Sequence, residues 1–353
     1  MRLGLAYNQR PQQNADINSQ STEDEFVEWD EPSTIQAVAD ALRALGSVTL
    51  LEAVDDFSAR LDAARPDLLF NMAEGRSGPN RESHVPAIAE FLGVRYTGSD
   101  PLTLSLALHK ARTKEILAQR HIPTAPWVLV ESTDDLHALQ RARVYPAFLK
   151  PVWEGSSKGI SQANYCETAA AAAERAEFLL NTYRQPVLVE AYLPGEEFTV
   201  AIMGNGRDTT TLPLIRYRFD ELPKGALPVM GYEAKWVWDT RDAAIEVLEC
   251  PADVSAPTAR AIRDTALAAY RALGCRDWAR IDVRLDHACV PHIIEINPLP
   301  GIIPNLADNS CFPRAAAAHG MSYDELIQSV VRIAWRRLIG KDLLVPSLAG
   351  AAD

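Results

Sequence analysis

Several short signatures that would fix a chemistry are missing from this 353-residue sequence. There is no Gly-x-x-x-x-Gly-Lys-Ser/Thr run and no Gly-x-Gly-x-x-Gly turn, which excludes a P-loop and a dinucleotide-binding first turn. The five cysteines (Cys166, Cys250, Cys275, Cys289, Cys311) are odd in number, widely spaced and without a Cys-x-x-Cys pair. Neither a disulfide framework nor a zinc knuckle is supported, and reduced, mostly buried thiols are expected. No segment approaches the roughly 20 apolar residues of a membrane span, and the run Met1 to Tyr7 is too short for a secretory signal. No membrane partner and a cytoplasmic location are expected. Basic residues are scarce, 35 against 47 acidic ones, for a net charge of −12. That argues against nucleic acid as a partner, so a polyanionic ligand would need a local positive pocket.

Apolar residues make up 47% of the chain, enough for large cores, and the length suggests two or three domains. Arg2 to Tyr7, Ser47 to Leu51 and Asp67 to Asn71 read as buried strands. Ser33 to Leu45 and Val85 to Leu92 read as helices, the latter stopping at Gly93 before another strand. Strands alternating with helices predict an open parallel sheet. The polar stretch from Asn8 to Asp30 reads as a long loop, either mobile or covering a site. One helix over Pro101 to Arg120 leads through Pro123 and Pro126 to a strand at Trp127 to Val130. Then come a strand at Ala147 to Lys150, a Gly/Ser turn, a strand at Gly159 to Ala163, a helix at Thr168 to Leu180 and a strand at Val187 to Glu190. Helices at Ala256 to Leu273 and Ser322 to Leu338 belong to the remainder.

Three constellations carry chemistry. Arg280 to Leu285 alternates strictly, a turn follows at Asp286 to Cys289, and a second strand runs to Asn297, which predicts a β-hairpin. Pairing Leu285 with Val290 puts Arg280, Asp282, Glu295 and Asn297 on one surface. Three oxygen-bearing side chains there form a hard-cation site, and Arg280 beside them can stabilise negative charge. Next, Lys150 ends an apolar strand before the small-residue loop Glu154-Gly155-Ser156-Ser157, whose backbone N–H groups can cover phosphates. Finally, a strand halts at Glu190, and the break through Ala191, Tyr192 and Leu193 can offer backbone groups to a flat heterocycle, while Glu197 can accept from sugar hydroxyls.

In this order the three constellations resemble the ATP-grasp superfamily, and within it the D-alanine:D-alanine ligase group. The likeness runs from about Pro66 to Leu338. The resemblance implies an α/β chain, α+β in its nucleotide-binding half, with three domains: an N-terminal open parallel sheet over 1–100, a central subdomain with the phosphate loop over 101–186, and a C-terminal subdomain over 187–345. It implies ATP held by Lys110, Lys150, the 154–157 loop, the 190–193 hinge and Glu197. It also implies Lys235, carried by the Glu233-Ala234-Lys235 lid, at the γ-phosphate. Magnesium, or manganese in its place, would sit on Asp282, Glu295 and Asn297. Arg280, Lys235, Ser156 and the Gly301 backbone are implied as the catalytic groups.

The substrate end departs from the family pattern. Glu31 is a loose match for the glutamate that binds the first amino group, Glu74 stands in place of a histidine, and Trp236 replaces an aromatic hydroxyl. Extra residues separate Gly301 from the stretch holding Ser310, which would bind the second carboxylate. The expectation is an ATP-dependent ligase that joins amino-acid-like small molecules through an acyl phosphate, with reactants other than D-alanine. Alternatives are a true D-alanine:D-alanine ligase of cell-wall synthesis, a specialised or ring-closing ligase of natural-product biosynthesis, and an ATP-binding regulator without turnover. A homodimer is expected as the commonest assembly.

Overall fold

The computed structural model describes residues 1–11, 26–220, 222–231 and 247–343. Its first sheet is parallel, in the order β2-β1-β3, with β1 at Arg2–Tyr7, β2 at Ser47–Glu52 and β3 at Leu68–Asn71. β1 is buried over nearly its whole length, as parallel strands covered on both faces are. Helix α1 (Pro32–Arg43) lays Ile35, Val38 and Leu42 into the core. α2 is Phe57–Ala64 and α3 is His84–Phe91. The strand expected after Gly93 is reduced to a single parallel bridge, Leu69 to Tyr96, because the chain peels away after Thr97 N–H bonds the Leu69 carbonyl at 2.9 Å.

The single helix expected over 101–120 is two helices, α4 (Pro101–Leu108) and α5 (Lys110–Gln119). His109 leaves helical geometry at ψ 85°, and its Nδ1 accepts the Arg112 N–H at 3.3 Å, capping α5. This break sets Lys110 at the head of a helix.

A four-stranded antiparallel sheet follows in the order β4-β7-β5-β6 (Trp127–Val130, Val187–Ala191, Ala147–Pro151, Tyr165–Cys166), with α6 (Ala169–Tyr183) packed on it. β7 is an inner strand here, so the division expected at 186/187 falls inside this sheet. The hydrogen-bond ladders to β4 and β5, not the order of the chain, set the unit. The strand expected at 159–163 does not form. Asn164 instead donates to the Leu149 and Gly159 carbonyls at 2.7 and 2.8 Å, folding the segment into a turn.

The largest sheet runs β11-β10-β8-β12-β13, with β9 (Thr210–Thr211) paired to β8. These strands are β8 Glu197–Met203, β10 Ile215–Tyr217, β11 Leu248–Glu249, β12 Trp278–Leu285 and β13 Pro291–Asn297. Helix α7 (Ala256–Leu273) covers one face, burying Ile262, Ala266 and Tyr270 with Val200, Ile281 and Val283. The opposite face is left for the site. Near the C-terminus, α8 (Cys311–Ala318) and α9 (Tyr323–Ile339) close the core, with α9 packed on α1. Trp278 joins the units, its ring edge-on to Phe70 at 5.7 Å and to Phe312 at 5.5 Å.

Candidate active site

The hairpin forms with a different register from the one expected. Leu285 pairs with Pro291, Asp286 N–H closes the turn on the Val290 carbonyl, and the ladder shifts between Asp282 and Val283. One residue at the turn and one at this bulge add up to a shift of two, which restores the face. Arg280 thus opposes Asn297 and Asp282 opposes Glu295. Arg280 grips Asp282 through Nε and Nη2 at 3.1 and 3.0 Å, and Asn297 Nδ2 reaches the same carboxylate at 3.3 Å. Glu295 pairs with Lys110 at 2.8 Å. Burial favours the neutral acid of Glu295, but Lys110 and its neighbours hold it below the usual carboxylate range.

Across the cleft, Lys110 Nζ also donates to the Glu154 carbonyl. Ser156 and Ser157 adopt positive φ (47° and 63°), curling the loop toward the cavity. Ser157 Oγ donates to the Met230 carbonyl at 2.6 Å. Lys150 and Lys114 converge on one buried carboxylate, Glu190, at 2.6 and 2.7 Å. Burial would raise Glu190, yet the two ammonium groups bring it to about 2. Burial pushes Lys114 down, whereas Glu190 outweighs burial at Lys150 and holds it up.

The hinge is narrower than expected. Ala191 N–H is taken by the Pro126 carbonyl and Tyr192 N–H by the Pro146 carbonyl, at 2.9 and 2.8 Å. That leaves the Leu193 N–H as the hinge donor without a partner among the described residues. Arg284 organises this end, donating to the Leu193 carbonyl, Glu197 and the Tyr192 hydroxyl at 2.7, 2.8 and 2.9 Å. Burial pushes Glu197 up in spite of Arg284.

One cleft, open to solvent, lies between the two antiparallel sheets. Lined by Lys110, Lys150, the 154–157 loop, the 190–193 hinge, Glu197, Arg280, Asp282 and Glu295, it brings those expected residues together. Asn297 meets it through Asp282. Lys235, with Glu233, Ala234 and Trp236, lies outside the described residues.

The expected substrate residues fare differently. Glu31 is exposed and ion-paired with Arg10 at 2.9 Å, away from the cleft. Its backbone starts α1, which turns the side chain to solvent. Glu28 takes the inward position, bonding the Gly155 N–H at 2.8 Å. Gly301 is exposed and Ser310 is buried at the start of α8, and neither lines the cleft. Glu74 is partly buried and pushed well above the usual range by burial and by Glu82 and Glu28. Glu82 is pushed up to about 7 and Asp30 to about 8, in both cases chiefly by burial. Lys114, Arg284, Glu28 and Arg81 were missed because their partners lie far off in the chain.

Two antiparallel sheets clasping a cleft of paired cations and carboxylates, beside a parallel-sheet unit, make up the ATP-grasp fold. The family model "D-ala D-ala ligase C-terminus" matches residues 116–332. The chain is 35% identical to the D-alanine–D-alanine ligase of Bordetella petrii, covering 77% of each. It is 33% identical to uncharacterized protein y4sG of Sinorhizobium fredii, over 90% of this chain and 91% of the other. The D-alanine–D-alanine ligase from Bacillus anthracis complexed with ATP superposes with a TM-score of 0.68 at 20% identity, covering 96% of this chain and 98% of that one. The chain belongs to the D-alanine–D-alanine ligase family.

Proposed function

We propose that the chain uses ATP and a divalent cation to activate one carboxylate and join it to an amine, on reactants other than two D-alanines. The observation that carries this reading is the single cleft in which Lys110, Lys150 and Arg280 face the opposed carboxylates Asp282 and Glu295. The donor set fits magnesium, because two carboxylates and an amide oxygen leave the remaining positions to phosphate oxygens and water. Asp282, Glu295 and Asn297 would hold the ion, which supplies positive charge to phosphoryl oxygens when bound.

Lys110 and Lys150 neutralise the triphosphate, and the Gly155 to Ser157 backbone covers it. The substrate carboxylate oxygen attacks the γ-phosphorus, the bond to the β-phosphate oxygen breaks, and ADP leaves behind an acyl phosphate. The amine then adds to the acyl carbon. Arg280, kept protonated by Asp282 against its burial, stabilises the tetrahedral oxyanion until phosphate departs and the ammonium proton is lost. Glu74, standing where the family pattern has a histidine and with Glu82 beside it, supports reactants other than D-alanine.

ADP release across a panel of amino acids tests the reading. Asp282→Ala and Glu295→Gln are expected to cut amide formation by about 10² to 10³. Full activity in both variants would refute the metal assignment. Turnover of D-alanine alone would make the cell-wall dipeptide the product, and nucleotide binding without turnover on any substrate would leave a regulator.

A further inference from the structure

Arg81 opens the short turn Arg81–Ser83 between β3 and α3 and is 7% exposed. Its Nη2 donates to both oxygens of Glu28, at 2.8 and 2.7 Å. Its Nη1 donates to the Trp153 carbonyl at 2.6 Å. Glu28 in turn accepts the Gly155 N–H at 2.8 Å. A guanidinium from the turn after β3 and a carboxylate from the segment before α1 therefore grip both ends of Trp153-Glu154-Gly155, the start of the phosphate loop. The glycine is fitted to this grip, since a Cβ at position 155 would lie 2.5 Å from Glu28 Oε1.

We propose that Arg81 is a positioning residue which, through Glu28 and the Trp153 carbonyl, fixes the phosphate loop over the cleft from the first-sheet unit. A guanidinium suits this task because its planar fork sends Nη2 to the carboxylate and Nη1 to the carbonyl in fixed directions. Both side chains are 8% exposed, so water competes little for the contact. Removing Arg81 strands the buried charge of Glu28, and removing Glu28 leaves Arg81 only its longer pair with Glu154 at 3.7 Å, so in either case the loop loses its tether. The inference rests on the ligase reading only for its consequence in turnover. The grip on the loop stands independently of the substrate.

The test measures backbone amide exchange of residues 154–158 in the nucleotide-free full chain, alongside steady-state kinetics. Arg81→Gln and Glu28→Gln should each speed exchange there about tenfold. The double variant should go no further than either single one, because the two residues act as one unit. Gly155→Ala keeps both buried charges, so it guards against simple unfolding, and its methyl should break the same contact and speed exchange likewise. In turnover, KM for ATP should rise about tenfold with kcat nearly unchanged, and Arg81→Lys, which keeps the charge but not the fork, should recover part of it. Unchanged exchange in Arg81→Gln and Gly155→Ala would overturn the proposal, as would additive effects in the double variant. A fall in kcat with normal exchange would overturn it too, by assigning Arg81 to the substrate directly. Absence of turnover on every substrate would sink the ligase reading and leave the exchange result standing.

Discussion

Position 284 holds an arginine that is only 4% exposed, with three acceptors on its guanidinium and the Tyr192 ring 5.0 Å away. Its neighbours on β12, Arg280 and Asp282, pair with each other in the same cleft, while Arg284 ties the hinge to Glu197. If Glu197 reads the ribose, Arg284→Met frees that carboxylate to wander. KM for ATP should then rise about tenfold, or ~1.4 kcal/mol of binding, and the preference for ATP over 2′-deoxy-ATP should shrink. An unchanged ratio between the two nucleotides would show that Arg284 serves packing alone. Residues such as this mark the limit of reading along the chain. Alternation placed Arg280, Asp282 and Arg284 on one face, but Arg284's acceptors lie 87 to 92 residues earlier. Likewise Glu28 lies only three positions from Glu31, and whether the chain turns inward or outward there is decided by Arg81, in a different segment.

Among the elements, strands and helices with strong periodicity were legible to within a few residues, as β1, α7 and α9 are. The errors came where side chains compete with the backbone. Asn164 captures two carbonyls and replaces the strand expected at 159–163. The apolar pattern across 101–120 continues over His109, but the imidazole caps α5 and splits the helix. The hairpin pattern fixed the face and not the bulge, which depends on pairing along β12. The cap at His109 is open to measurement. Burial depresses this imidazole, so it stays neutral and Nδ1 remains an acceptor near pH 7. For a base with a lowered folded pKa, the stabilisation is present above the ordinary value near 6.5 and is lost as pH falls through the folded value. His109→Ala should cost about 1 kcal/mol in urea denaturation at pH 7, and His109→Asn, a competent cap, should restore it. Between pH 7 and 5 the wild type should lose stability relative to His109→Asn, and parallel pH curves for the two would show that the ring does not cap.

For the whole molecule, a net charge of −12 coexists with a cleft where the sheets meet in which Lys110, Lys150, Arg280 and Arg284 stand among Glu154, Glu190, Glu197, Asp282 and Glu295, so the cations are gathered locally and each faces a carboxylate. The same meeting of units needs an anchor that does not depend on ligand, and Asp277 provides it. Its side chain is fully buried, between α7 and β12, with φ at +65°. It accepts the Gly98 N–H from the first unit at 2.8 Å, Asn205 Nδ2 from the turn after β8 at 2.8 Å, and Arg337 of α9 at 2.8 and 2.7 Å. Three distant segments thus share one carboxylate. Asp277→Ala strands these donors and leaves Arg337, largely buried, without its counter-charge, so it should cost about 3 to 5 kcal/mol. Asp277→Asn keeps the shape and tolerates the left-handed backbone, but it offers one acceptor oxygen in place of two. Its loss should be smaller, and Arg337→Met in the Asp277→Asn background should add little, because the charge to be compensated is already gone. Urea denaturation of the three variants decides the matter. An Asp277→Ala protein within about 1 kcal/mol of wild type would mean that the aromatic contacts of Trp278 with Phe70 and Phe312 hold the units together without this carboxylate.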